Sequence, residues 1–161
     1  MTLRFVEPGS VRSFRPGANT STATYPTGTA GPRITIPVGF MNATKKLASF
    51  LDLRPGWDSY RAPPPNNEAF IGAVVVLGYI AGGGDSRVFD VLHIAASLDG
   101  GVALAFEAGA RALEITVTNH GIIKLERSDG GRFVRASEFA RVPVVVFGPQ
   151  LDEAFTWLFA N

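Results

Sequence analysis

The chain has 161 residues, 46% of them apolar, and a formal net charge of +1. That length holds one domain with its own core. The absence of cysteine excludes disulfides and thiolate metal sites, and fits a reducing cytoplasm, or a virion for a phage-encoded chain.

Charged residues make up 18%, below the usual quarter, and the mean hydropathy is +0.17, so most of the chain is expected to fold. Twelve Phe fit either an aromatic core or an apolar surface that meets a partner. Met1–Pro8 has no long apolar stretch, so no signal peptide is expected. The longest apolar run, Ala69–Ala81, is shorter than a membrane span and is interrupted by Gly72 and Gly78. No membrane association is expected.

Charge is unevenly spread. Residues 1–45 hold Arg4, Arg12, Arg15, Arg33 and Lys45 against Glu7 alone, a balance of +4, and the remainder carries −3. The same segment holds Pro8, Pro16, Pro26, Pro32 and Pro37, spaced by Ser, Thr and Gly. Residues 10–32 show no period of a helix or a strand and cannot bury enough surface to fold alone. We read residues 1–40 as an extended basic arm with short edge strands at Leu3–Val6 and Arg33–Val38. Phe5, Arg12, Phe14, Arg15 and Tyr25 are its candidate docking side chains, for another protein chain or, through the arginines, for nucleic acid. A tail draped over the surface explains the same composition.

Residues 41–161 read as a single α+β domain. Asn42 or Thr44 can cap a helix running to about Leu53, with Leu47, Phe50 and Leu51 on its apolar side. Arg54-Pro55-Gly56 stops it. A second helix is expected over Asn67–Ala81, capped by Asn66 or Asn67, with Glu68 in the positive first turn. It is apolar on most sides and reads as buried packing. Gly82-Gly83-Gly84 ends it.

Strands follow. Val88–Leu98 reads as a long, bent first strand, and Asp99-Gly100 as a hairpin turn. Val102, Leu104 and Phe106, then Leu113, Ile115 and Val117, then Ile123 and Leu125, alternate with polar or small residues. Turns at 108–111, 119–121 and 128–131 separate them, which predicts a three- or four-stranded antiparallel meander over 88–125. Val142–Phe147 reads as a further strand. A C-terminal helix near Pro149 carries Leu151, Phe155, Leu158 and Phe159 on its apolar side. The expected architecture is an antiparallel meander packed against helices and closed by a C-terminal helix.

Gly56-Trp57-Asp58-Ser59-Tyr60-Arg61-Ala62-Pro63-Pro64, then a helix, then Asp99-Gly100-Gly101-Val102-Ala103-Leu104-Ala105-Phe106 and Leu113-Glu114-Ile115, form a pattern. It resembles a group of small bacterial and phage proteins in which Gly-Trp-Asp-Gly-Tyr-Gly-Ala-x-Pro precedes a helix and an Asp-Gly-Gly hairpin ending in Leu-x-Trp. The match covers roughly residues 47–125. Ser59 and Arg61 stand where glycine is common in that group, and Phe106 where Trp is common. The resemblance implies a fold and no activity.

Trp57, Asp58, Tyr60 and Arg61 are the candidate interaction surface on the domain, because Trp, Tyr and Arg dominate binding hot spots. The same residues suit a structural role, with Asp58 capping the turn and Trp57 and Tyr60 packing over the helix junction. His93 and His120 are the only histidines. Either could work with Asp90, Asp99 or Asp58 in a small hydrolase, but no serine elbow accompanies them. No His-x-His or Glu-x-x-His spacing offers metal ligands. Gly82-Gly83-Gly84 follows a helix and lacks the lysine of a phosphate loop. We therefore expect no catalytic residue, no metal and no cofactor. The expected function is a non-enzymatic subunit or adaptor of a phage, bacterial defence or toxin–antitoxin assembly, forming a homo- or hetero-oligomer. A nucleic-acid-associated accessory protein and a small hydrolase are the alternatives.

Overall fold

A computed structural model describes residues 36–58, 61–83, 87–140 and 144–160, which belong to the compact unit Ile34–Asn161. Phe5, Arg12, Phe14, Arg15, Tyr25 and Tyr60, like the expected strand Leu3–Val6, lie outside the described residues. Among the described residues the fold is α+β: four α-helices and a five-stranded antiparallel sheet, with a helix at the C-terminal end.

Helix α1 spans Val38–Ala48 and runs into a 3-10 turn over Ser49–Asp52. It opens four residues earlier than Asn42. Pro37 occupies the capping position, where a missing N–H costs nothing, and its carbonyl accepts from the Met41 amide at 3.3 Å. The end of the expected 33–38 strand is therefore helical at Val38. Thr44 does not cap; its hydroxyl donates back to the Phe40 carbonyl at 3.1 Å. Helix α2, Asn67–Gly82, starts at Asn66, whose side chain accepts from the Ala69 amide at 3.0 Å.

The sheet is a meander in the order β1 (Leu92–Ala96), β2 (Val102–Ala108), β3 (Arg111–Val117), β4 (Ile122–Asp129), β5 (Arg132–Ala140), each strand antiparallel to the next. The register places Leu104, Ile115 and Leu125 in one row across the sheet, and Val102, Val117 and Ile123 in another. This apolar face is covered by Ala69, Ala73, Val76, Leu77 and Ile80 of α2 and by Phe147, Leu151, Ala154 and Leu158 of α4 (Val144–Phe159). Helix α2 is not buried all round: Ile71 and Val75 face outward at 59% and 41% exposure. Gly72 lets α2 come down onto the sheet, since a β-carbon there would lie 2.6 Å from a Val117 methyl.

Three expectations need correction. Arg87–Asp90 is a helical turn, α3, and the first strand begins only at Leu92. Packing overrides propensity here: Val88 is buried, and Phe89 meets Phe40 of α1 edge-on at 6.3 Å. The valine-rich 144–147 segment is not a strand but the start of α4. Phe147, Leu151, Ala154 and Leu158 recur at helical spacing and all are buried, so the 3.6-residue period decides against the β-branched run. A fifth strand, Arg132–Ala140, extends the meander beyond residue 125. Its residues are mostly exposed and its pairing with β4 slips at Arg127/Ser128, so no clean alternation announces it.

Candidate functional site

The Trp57 turn is a small closed loop. Gly56, at φ +83°, donates its amide to the Ala62 carbonyl at 3.0 Å. The Ala62 amide donates to Asp58 Oδ1 at 2.9 Å, the turn-capping bond expected of that acid. The indole Nε1 of Trp57 donates to the Pro63 carbonyl at 3.4 Å, and its ring is half-buried. Arg61 is exposed and sits at φ +68°, the only non-glycine residue at positive φ among the described residues. That is the conformation glycine adopts freely, so the arginine bears backbone strain there.

The loop is clasped to the sheet by residues 63–66. The Asn66 amide donates to Asn119 Oδ1 at 2.7 Å, and Asn66 Nδ2 donates to the Asn119 carbonyl at 2.8 Å. Asn119 Nδ2 donates to the Pro64 carbonyl at 3.1 Å. Gly100, in the β1–β2 turn at φ +86°, lies directly against Pro63 and the Asn119 side chain. One proline-stiffened segment thus ties the start of α2 to the tips of two hairpins. Asn119 was legible in the sequence only as a turn residue. Nothing local marks it as a partner of a segment more than fifty positions away.

A second feature lies at the far end of α2. Tyr79 and Ile80 of α2, Arg87 and Val88 of α3, and Asp152, Phe155 and Phe159 of α4 line a cleft of about 510 Å³. The Tyr79 hydroxyl donates to Asp152 Oδ2 at 2.9 Å. That hydrogen bond, then desolvation, then the carboxylate charge raise the Tyr79 hydroxyl above its ordinary pKa. The Arg87 guanidinium sits 5.6 Å over the Phe159 ring. A neighbouring cleft of about 570 Å³ shares Arg87, Phe159 and Ala160 and adds Arg111 and Asp129. Arg111 Nη1 donates to the carbonyls of Trp157 and Ala160, both at 2.6 Å, a cation on the negative end of α4. Trp157 is flanked by two guanidiniums, Arg111 at 5.4 Å and Arg127 at 5.8 Å. Glycine 148 is required alongside: a β-carbon there would meet the Tyr79 ring at 2.9 Å.

Both histidines are exposed. His93 shares a cleft of about 440 Å³ with Asp90, Asn42 and Lys46, yet no hydrogen bond or ion pair joins it to Asp90, and no hydroxyl side chain lines that cleft. No group of three His, Asp or Glu side chains among the described residues could hold a metal ion. No described helix is long and apolar enough to cross a membrane. No protein-family model matches the chain, and no match emerges from the curated proteins or the solved structures.

Proposed function

We propose that this chain is a non-enzymatic binding module, a subunit or adaptor that engages another protein chain through the Trp57–Arg61 turn, of the kind used in phage, bacterial defence or toxin–antitoxin assemblies. The observation that carries this reading is Arg61, an exposed arginine held at φ +68° in a loop closed by three hydrogen bonds. A side chain in that region costs about 1–2 kcal/mol, and glycine would remove the cost. Left-handed outliers collect at ligand clamps and switch regions. A closed loop also presents Trp57 and Arg61 with little ordering cost on binding.

The test is affinity capture from the native host with wild-type, Arg61→Gly and Trp57→Ala chains as bait. The reading requires a protein that the wild type retains and Arg61→Gly loses, although Arg61→Gly folds more stably. An unchanged set of captured proteins in Arg61→Gly sinks it. The +4 balance of residues 1–45 favours a second reading, a nucleic-acid-associated accessory protein. Duplex DNA binding that falls with salt and survives Arg61→Gly would select that one.

A further inference from the structure

We infer that the outward face of α2 is a dimerisation surface whose partner is a second copy of this chain, packed antiparallel across a two-fold axis. Ala69, Ala73, Val76, Leu77 and Ile80 turn toward the sheet. On the opposite side Ile71, Val75, Gly78 and Gly82 are all exposed and recur at helical spacing, so they form one stripe. Ile71 is 59% exposed and Val75 41%. The helix holds a single charged residue, Glu68, and no lysine or arginine. By contrast, α1 presents Lys45 and Lys46 to solvent, and α4 presents Asp152 and Glu153. A helix apolar on every side is ordinarily covered on every side.

The glycines point the same way. Gly72 is bare because Val117 lies against it, but a β-carbon at Gly78 or Gly82 would meet no atom within 4 Å among the described residues. Glycine inside a helix weakens it relative to alanine. Packing among the described residues does not explain that cost at Gly78. A second copy does. Val75 and Gly78, and likewise Ile71 and Gly82, are placed symmetrically about the midpoint between Val76 and Leu77. A two-fold axis there sets Ile71 and Val75 of each copy over Gly82 and Gly78 of the other. A parallel pair would set large side chains against each other and glycine against glycine. Such an isologous contact closes as a dimer. The face runs ~21 Å from Glu68 to Gly82 at ~1.5 Å per residue, with a helix ~10 Å wide, which places the contact in the small, concentration-dependent class.

The experiment is sedimentation equilibrium of the full chain from about 5 to about 500 µM, a range that brackets weak association. Monomer is expected to pass into dimer as concentration rises. Gly78→Leu fills the hole and should weaken dimerisation at least about tenfold. Its thermal midpoint at the lowest concentration should hold or rise, because leucine is the better helix former. Orientation is read by cross-linking. The chain has no cysteine, so Ile71→Cys and Gly82→Cys each introduce a single thiol. Under mild oxidation a mixture of the two variants should cross-link much faster than either alone, since the two positions lie ~16 Å apart along one helix. A monomer across the whole range, unchanged dimerisation in Gly78→Leu, or like-with-like cross-linking that outruns the mixed product overturns the dimer. Arg61→Gly should dimerise as the wild type does, so a monomeric chain that still captures a protein through Arg61 sinks this dimer alone and leaves the Trp57 reading standing.

Discussion

Pro63 lies so close to Gly100 that a β-carbon on Gly100 would sit 2.7 Å from the proline Cγ. The proline segment that follows Trp57 and the Asp99-Gly100-Gly101 hairpin therefore meet in three dimensions. The hairpin needs a glycine at φ +86°, and the proline segment needs that glycine bare.

Gly100→Ala tests this directly. The substitution forces a side chain into left-handed backbone and into Pro63 and Asn119, neither of which is a freely moving chain end. It should cost roughly 2–4 kcal/mol, from strain plus overpacking. Chemical denaturation with an unchanged slope and a lowered midpoint would report it. Gly109→Ala is the control, because a β-carbon at Gly109, also at positive φ, meets no atom within 4 Å. It should lose only the backbone part, about 1–2 kcal/mol.

The other half of the clasp is Asn119. Its side chain accepts from the Asn66 amide and donates to the Pro64 carbonyl. Asn119→Ala removes both bonds and should cost about 1–3 kcal/mol. Hydrogen exchange should quicken at the Asn66 amide and in the first turn of α2, while β3 and β4 amides stay protected. Uniform loss of protection across the sheet would mean the clasp is no local device.

How much of this was legible follows from the range of the contacts. The strands β2 to β4 alternate with one buried face, so Leu104, Ile115 and Leu125 declare themselves by period alone. The α2 cap at Asn66 is a bond over three residues and is equally local. Val144-Val145-Val146 misleads because β-propensity is a weak prior, overruled once Phe147 and Leu151 find the core on a helical period. β5 escapes because exposed Arg132, Phe133, Val134 and Arg135 leave no alternation to read. The groove at Phe159 is drawn from α2, α3 and α4, and its residues span Tyr79 to Ala160. No spacing in the chain encodes their meeting.

Arg61→Gly should stabilise the fold. Glycine reaches φ +68° without the steric cost that arginine bears there, although its greater unfolded-state entropy returns part of the gain. The net expectation is a gain of about 0.5–1 kcal/mol, seen as a raised denaturation midpoint. A lowered midpoint would mean that the Arg61 side chain makes stabilising contacts that outweigh its backbone strain.

Tyr79 supplies a pH signature. Its hydroxyl titrates above the ordinary value of about 10 because it donates to Asp152. A folded pKa raised above the unfolded one stabilises the fold fully below pH of about 10, and that contribution is lost as pH rises through the folded value. Phenolate absorbance followed with pH should show one of the three tyrosines titrating late in the wild type. In Asp152→Asn that step should move down toward 10. If it does not move, the hydrogen bond is not what holds the proton.

Arg127 is the one buried charged residue among those described, 7% exposed on β4. Glu153 Oε1 on α4 accepts from its Nη1 at 3.1 Å and also from Arg135 at 3.3 Å. The Arg127 Nε is buried and makes no hydrogen bond among the described residues. Its charge is therefore balanced by one shared, half-exposed carboxylate and by the Trp157 ring at 5.8 Å. Removing the acid and removing the base should act oppositely. Glu153→Ala leaves a desolvated guanidinium facing only the indole, and should cost about 1–3 kcal/mol. Arg127→Met keeps an unbranched apolar stem, deletes the buried charge and the unsatisfied Nε, and should be neutral or stabilising. The double variant should then lie close to Arg127→Met alone, since the acid has lost the buried partner that made it matter. Thermal or denaturant unfolding of the three variants measures the cycle. Arg127→Met losing more stability than Glu153→Ala would show that the guanidinium is held chiefly by its packing on Trp157, with Glu153 secondary.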